Sequence, residues 1–212
     1  MKRWVMFCEA DGDHRTAAAL IDEALSLRCA PWVRERLDAT PESVRVWHEA
    51  PEARRPWFDV HHVYDIARRL GVKVPSGRFG GVPAAPGALS SGIVLVLGCP
   101  DPIRETWVLA GFEPESDDER RRLEAERRSL GFHPNEEPHR LTAGDEHALE
   151  HAKRVLRALG VTTWERERAC LRIADDARRA RLRVRGAGCG LDAFLGAVEA
   201  ELAPRVDPGA RL

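Results

Sequence analysis

Lysine is almost missing from this chain: of 33 basic residues only Lys2, Lys73 and Lys153 are Lys, and the other 30 are Arg. Tyrosine occurs once, methionine twice, and aromatic residues make up 6% of the 212 positions. Long apolar runs are missing too. The longest, such as Ile93 to Leu97, span five residues, against about 18–20 for a membrane-spanning helix, so no membrane partner is expected. No CxxC pair occurs. Five cysteines at 8, 29, 99, 170 and 189 are odd in number and widely spaced, which argues against a disulfide framework or structural zinc site and fits a reducing cytoplasm. A secretory leader is not expected, because the apolar stretch after Met1-Lys2-Arg3 runs at once into Glu9, Asp11 and Asp13. Finally, there is no excess charge of one sign: the net charge is −1. That excludes a general basic coat for nucleic acid and leaves only local patches.

What is present falls into two halves. Arg3 to Cys8 (RWVMFC) is nearly all apolar and reads as a strand buried on both faces. His14 to Arg28 reads as a helix, with Ala18, Ile21, Ala24 and Leu25 on one face and Asp11 or Asp13 as N-cap. A buried strand leading into a helix is the opening of an α/β unit. Further on, Asp59 to Leu70 reads as a helix, Val72 to Val74 as a strand, Pro75 to Gly92 as a Gly/Pro-rich loop and Ile93 to Leu97 as a second buried strand. After Ile103 the pattern becomes helical. Helices are expected over Ile103–Ala110, from the capping box Ser116–Glu119 to Leu130, over Asp145–Leu159, after a capping box at Thr162–Glu165, and over Leu191–Leu202. The expectation is an α/β part over residues 1–112, with a small, mostly parallel sheet, followed by an all-helical part over 113–212.

Glu9, Asp11 and Asp13 stand where the first strand ends and its helix begins, the place where α/β folds collect ligand groups. Three carboxylates within five residues repel one another and suit a hard divalent cation such as Mg²⁺ or Mn²⁺. The arrangement of hydrophobic strand, Glu9, three residues, Asp13 and helix resembles the first motif of Toprim domains. Those domains occur in topoisomerases, primases, RNA-maturation nucleases and nucleases paired with ABC-type ATPases in phage defence. A longer resemblance, to an uncharacterised bacterial Toprim-like family, rests on Gly71–Val74, Phe79–Gly87, Arg104–Phe112, Leu130–Pro134 and Ala152–Leu156, and includes a Glu-x-Trp element at Glu105 and Trp107. It implies a Toprim-like sheet, catalytic roles for Glu9 and Glu105, and metal ligation by Glu9, Asp11, Asp13 and Asp101. The family's second acidic pair, Asp-x-Asp, has no counterpart here: only Asp101, between Pro100 and Pro102, follows the strand at 93–97. The resemblance therefore implies a degenerate, non-catalytic or weakly catalytic subunit of a bacterial defence-type complex with an ATPase or other protein partner. The alternative is an active Mg-dependent nuclease cleaving DNA or RNA.

Three other patterns bear on chemistry. His147-Ala-Leu-Glu150-His151 matches the inverted zincin order H-x-x-E-H, with Glu199 or Glu201 as a third ligand. His61-His62 lies beside Tyr64 and Asp65. The arginines at 120–122 and 127–128 alternate with acidic residues and read as a solvated helix face. Arg178, Arg179, Arg181, Arg183 and Arg185 are less balanced and are the candidate contact to a nucleic-acid phosphate backbone.

Overall fold

The computed structural model describes residues 11–29, 98 and 100–207. The described residues are helical and contain no strand, which corrects the expected α/β architecture with its parallel N-terminal sheet. The first helix shows why. Helix α1 (Asp11–Arg28) is the helix expected to follow a buried strand in an α/β unit. Its buried residues Thr16, Leu20, Ile21, Ala24 and Leu25 instead pack into a core made of helices. A five-residue apolar run carries no strand-versus-helix signal of its own, so the α/β reading rested on short runs that could not decide it. The strands proposed at 3–8, 72–74 and 93–97, the helix at 59–70 and the loop at 75–92 lie outside the described residues.

At the centre of the core is α2 (Glu105–Ala110), in which Thr106, Trp107, Val108, Leu109 and Ala110 are all buried. A helix apolar on every side must be enclosed. It is surrounded by α4 (Ala152–Leu159), α5 (Trp164–Leu171), α6 (Asp176–Gly186) and a 3-10 turn at Pro138–Arg140. Trp107 is 2% exposed. Its indole N–H donates to Cys189 O at 2.7 Å and its ring stacks on Phe194 at 5.0 Å between centroids. The Trp of the Glu-x-Trp element is thus a core anchor. Leu20 and Leu25, Trp107 and Leu109, Val155, Leu171, Leu182 and Leu195 belong to one continuous cluster, so residues from both sides of position 112 share it.

Local chemistry sets the helix ends. In α3 (Asp117–Leu130) the Ser116 hydroxyl accepts from Glu119 N–H at 3.1 Å, and Gly131 closes the helix at φ +77°, both as expected. The Glu119 carboxylate reaches one residue further back than a capping box requires, accepting from Glu115 N–H. The helix expected from Asp145 begins only at Ala152. The Asp145 carboxylate accepts from His147 N–H at 2.9 Å, and this local bond competes with helix formation. The cap of α5 is Thr163, whose hydroxyl accepts from Arg166 N–H, one residue later than expected. The last expected helix is α7 (Leu191–Ala197) followed by a π turn (Val198–Leu202) and α8 (Ala203–Val206). The wider π register accommodates Pro204, which has no N–H to donate.

Candidate functional site

Sequence reading gave residues 176–186 no element, and they form α6, capped by Asp175, whose carboxylate accepts from Arg178 N–H at 2.7 Å. At 3.6 residues per turn, Arg178, Arg181 and Arg185 lie within about 60° of one another, while Arg179 and Arg183 lie on a face about 150° away. The five arginines are therefore two groups. The first converges on Glu113, in the segment between α2 and α3. Arg178 Nη1 forms a short ion pair with Glu113 Oε1, Arg181 Nε is 3.1 Å from the same oxygen and Arg185 Nη1 is 3.8 Å from it. Arg178 is also a structural staple. It donates to Gly111 O, to Cys170 O at 2.9 Å and to Arg172 O at 3.4 Å, placing a cation against the carbonyl ends of α2 and α5. Gly111 permits that approach, since a Cβ there would lie 2.1 Å from Cys170 O.

Burial alone would raise the Glu113 pKa, but the charges of Arg178 and Arg181 and their hydrogen bonds hold it below the ordinary value. Arg185 is shifted the other way for an arginine. Burial lowers its pKa, Arg178 and Arg181 repel it, and the opposing pull of Glu113 and Glu136 does not make up the difference.

The second group faces Glu199, which lies in the π turn and is buried. Arg179 grips its carboxylate with Nε and Nη2 at 2.5 Å each, Arg183 Nη1 is 3.6 Å away and Arg28 Nε of α1 is 3.9 Å away. Asp192 pairs with Arg183, and Asp176 lies 3.2 Å from Arg28 and 3.7 Å from Arg179. Three cations here meet three carboxylates. Glu199, offered in the sequence as a zinc ligand, holds arginines instead. The H-x-x-E-H pattern is not helical either: residues 145–150 form turns, His147 and Glu150 are exposed, and His151 is buried at the start of α4. The i, i+4 geometry that zinc would need is not formed there.

The acidic candidates divide. Glu9 lies outside the described residues, and Asp11 and Asp13 occupy the first turn of α1. Asp101 is tied to the turn after α6, its N–H donating to Cys189 O at 3.2 Å. Glu105 opens α2 with its carboxylate 3.2 Å from Arg104 Nη2. Arg104 Nη1 reaches Glu167 at 2.5 Å and donates to Thr16 Oγ1 at 3.1 Å, joining α2, α5 and α1. Burial would lower the Arg104 pKa, yet the hydrogen bond and charge of Glu167, with Glu105, raise it, so the guanidinium stays charged. A fixed cation beside Glu105 does not fit a divalent ion at that carboxylate. Among the described residues no group of three or more His, Cys, Asp or Glu is placed to hold a metal ion. His61 and His62 lie outside the described residues.

Burial pushes the Cys170 thiol up to about 12 and the Cys189 thiol to about 11, so both are inert packing groups. No described helix is long and apolar enough to cross a membrane. Sequence reading missed Arg104, Glu113 and Glu199 as the organisers of the charged clusters. Glu113 sits in no motif and Glu199 enters only as an optional zinc ligand, so only the excess of Arg over acid near 178–185 hints that distant carboxylates must answer it. No family model, curated protein or solved structure matches the chain.

Proposed function

We propose that the chain is a non-catalytic or weakly catalytic subunit of a bacterial defence-type complex, with an ATPase as the class of partner. The carrying observation is the use made of Glu105. This carboxylate, assigned to catalysis, is joined to a charged guanidinium that also holds Glu167 and Thr16. A carboxylate already tied to a fixed guanidinium is a poor partner for a second, divalent cation. The partner class comes from the Toprim-like sequence resemblance alone.

The second reading is a metal-dependent nuclease using Glu9 with Asp11 and Asp13. It is favoured by the Thr16–Arg104 bond, because Thr16 follows Asp13 by one helical turn and so draws the start of α1 toward Glu105. Cleavage of DNA and RNA by wild type and Glu9→Gln, with Mg²⁺ and Mn²⁺ titrated to millimolar levels, tests the choice. The subunit reading expects no turnover that separates the two proteins. Metal-dependent cleavage abolished in Glu9→Gln would replace it with the nuclease reading.

A further inference from the structure

We infer that the Glu113 face of α6 binds a phosphate group through Arg181 and Arg185, with the Glu113 carboxylate as a built-in competitor. This goes beyond the subunit reading and does not rest on it. Three guanidinium groups address one carboxylate oxygen. Among the described residues Glu136 also acts on Arg185, at longer range, so Glu113 and Glu136 are the carboxylates set against these three cations.

The cations are not equivalent. Arg178 is 9% exposed and its hydrogen bonds go to three backbone carbonyls. Arg181 is 49% exposed and donates to Glu113 through Nε, so most of its guanidinium faces solvent. Arg185 is 17% exposed, and its buried Nη1, like Arg178 Nη1, has no hydrogen-bond acceptor among the described residues. A buried guanidinium N–H without an acceptor is costly, and an oxyanion with several lone pairs relieves it better than a shared carboxylate oxygen does. Glu113 is itself 41% exposed, so a ligand approaching from solvent can reach the cluster. The Glu199 face also has a buried guanidinium nitrogen without an acceptor, Arg28 Nε, but there Arg28, Arg179 and Arg183 are matched by Glu199, Asp176 and Asp192, so no surplus charge is left for a ligand.

The shared chemistry is a phosphate oxyanion, from a small phosphorylated ligand or from a nucleic-acid backbone. The test is calorimetric titration of the full chain with inorganic pyrophosphate in one arm and a short DNA duplex in the other. Wild type, Arg181→Ala and Glu113→Gln are compared, with unfolding curves confirming that each variant folds. Saturable binding is expected, weakened about tenfold in Arg181→Ala and strengthened in Glu113→Gln, because the competitor is removed and the local charge rises. Binding of duplex that pyrophosphate displaces identifies the backbone as the source. Binding of pyrophosphate alone identifies a small ligand. Absence of saturable binding in both arms, equal affinity in Arg181→Ala, or weaker binding in a folded Glu113→Gln overturns the inference.

Discussion

The two flanks of α6 use the same residue type to opposite ends. On the Glu199 flank, Arg28, Arg179 and Arg183 meet Glu199, Asp176 and Asp192, and the result is a closed seam joining α1, α6 and the π turn. On the Glu113 flank, Arg178, Arg181 and Arg185 share one oxygen, and the result is held together by only one of the three cations. Proximity of arginines in sequence therefore says little about surplus charge. What matters is how many carboxylates the fold brings to each side of the helix, and those come from residues as distant as 113 and 199. A seam balanced in charge contributes to stability; an unbalanced cluster is available for a ligand.

The largest break in this comparison is expected from Glu199→Gln. The substitution leaves Arg28, Arg179 and Arg183 in a partly buried seam without their central carboxylate. Removing one partner of such a buried pair costs about 3–5 kcal/mol. Urea unfolding at neutral pH should show that loss, and an unchanged midpoint would mean that the seam is not load-sharing at all. Arg178→Met is expected next, at about 2–4 kcal/mol, because three carbonyls at the ends of α2 and α5 lose their donor while the methionine stem keeps part of the packing. If Arg178→Met costs no more than Arg181→Ala, the division of labour on the Glu113 flank is wrong.

How much of this was legible in the sequence depends on the range of the interaction that decides it. Ser116 and Gly131 bound α3 through bonds to residues within one turn, so the sequence showed both ends. Asp145 looked like a helix start and is a turn former, because both uses begin with the same side-chain acceptor and only packing chooses. The sheet expectation failed at a longer range. The apolar face of α1 was read correctly at Ile21, Ala24 and Leu25, but nothing in its spacing says whether a sheet or helices will cover it. The arginine strip reads in the sequence as one uneven run, and its partition into two faces is not visible there because no helix is assigned to it. Trp107 was seen as a family signature and is buried against Cys189 and Phe194, partners more than 80 residues away.

A smaller effect is expected from pH. The Glu113 carboxyl is held below its ordinary value of about 4.3, so it contributes stability that is fully present above that value and lost as pH falls through the depressed native one. Glu113→Gln should therefore be less stable than wild type at pH 7, and the gap should close as both proteins are acidified toward pH 3. A gap that stays constant between those two pH values would show that Glu113 is not titrating against Arg178 and Arg181.

The smallest effect sharpens the comparison by leaving α6 alone. Arg121 in α3 also belongs to a dense arginine run, and it pairs with Asp118 at 3.3 Å on a face open to solvent. Such an exposed i, i+3 pair is worth about 0.5 kcal/mol or less, since solvent screens it and two long side chains must be ordered to form it. Arg121→Ala should accordingly shift the urea midpoint only marginally. It should also leave pyrophosphate affinity where it is, because Arg121 is exposed and already paired with Asp118 one turn away. Arg181→Ala, an equally conservative change on paper, should leave stability nearly as it was and reduce that affinity. Loss of affinity in both variants would mean that the chain responds to arginine density as such, and the three-on-one arrangement at Glu113 would then have no special role.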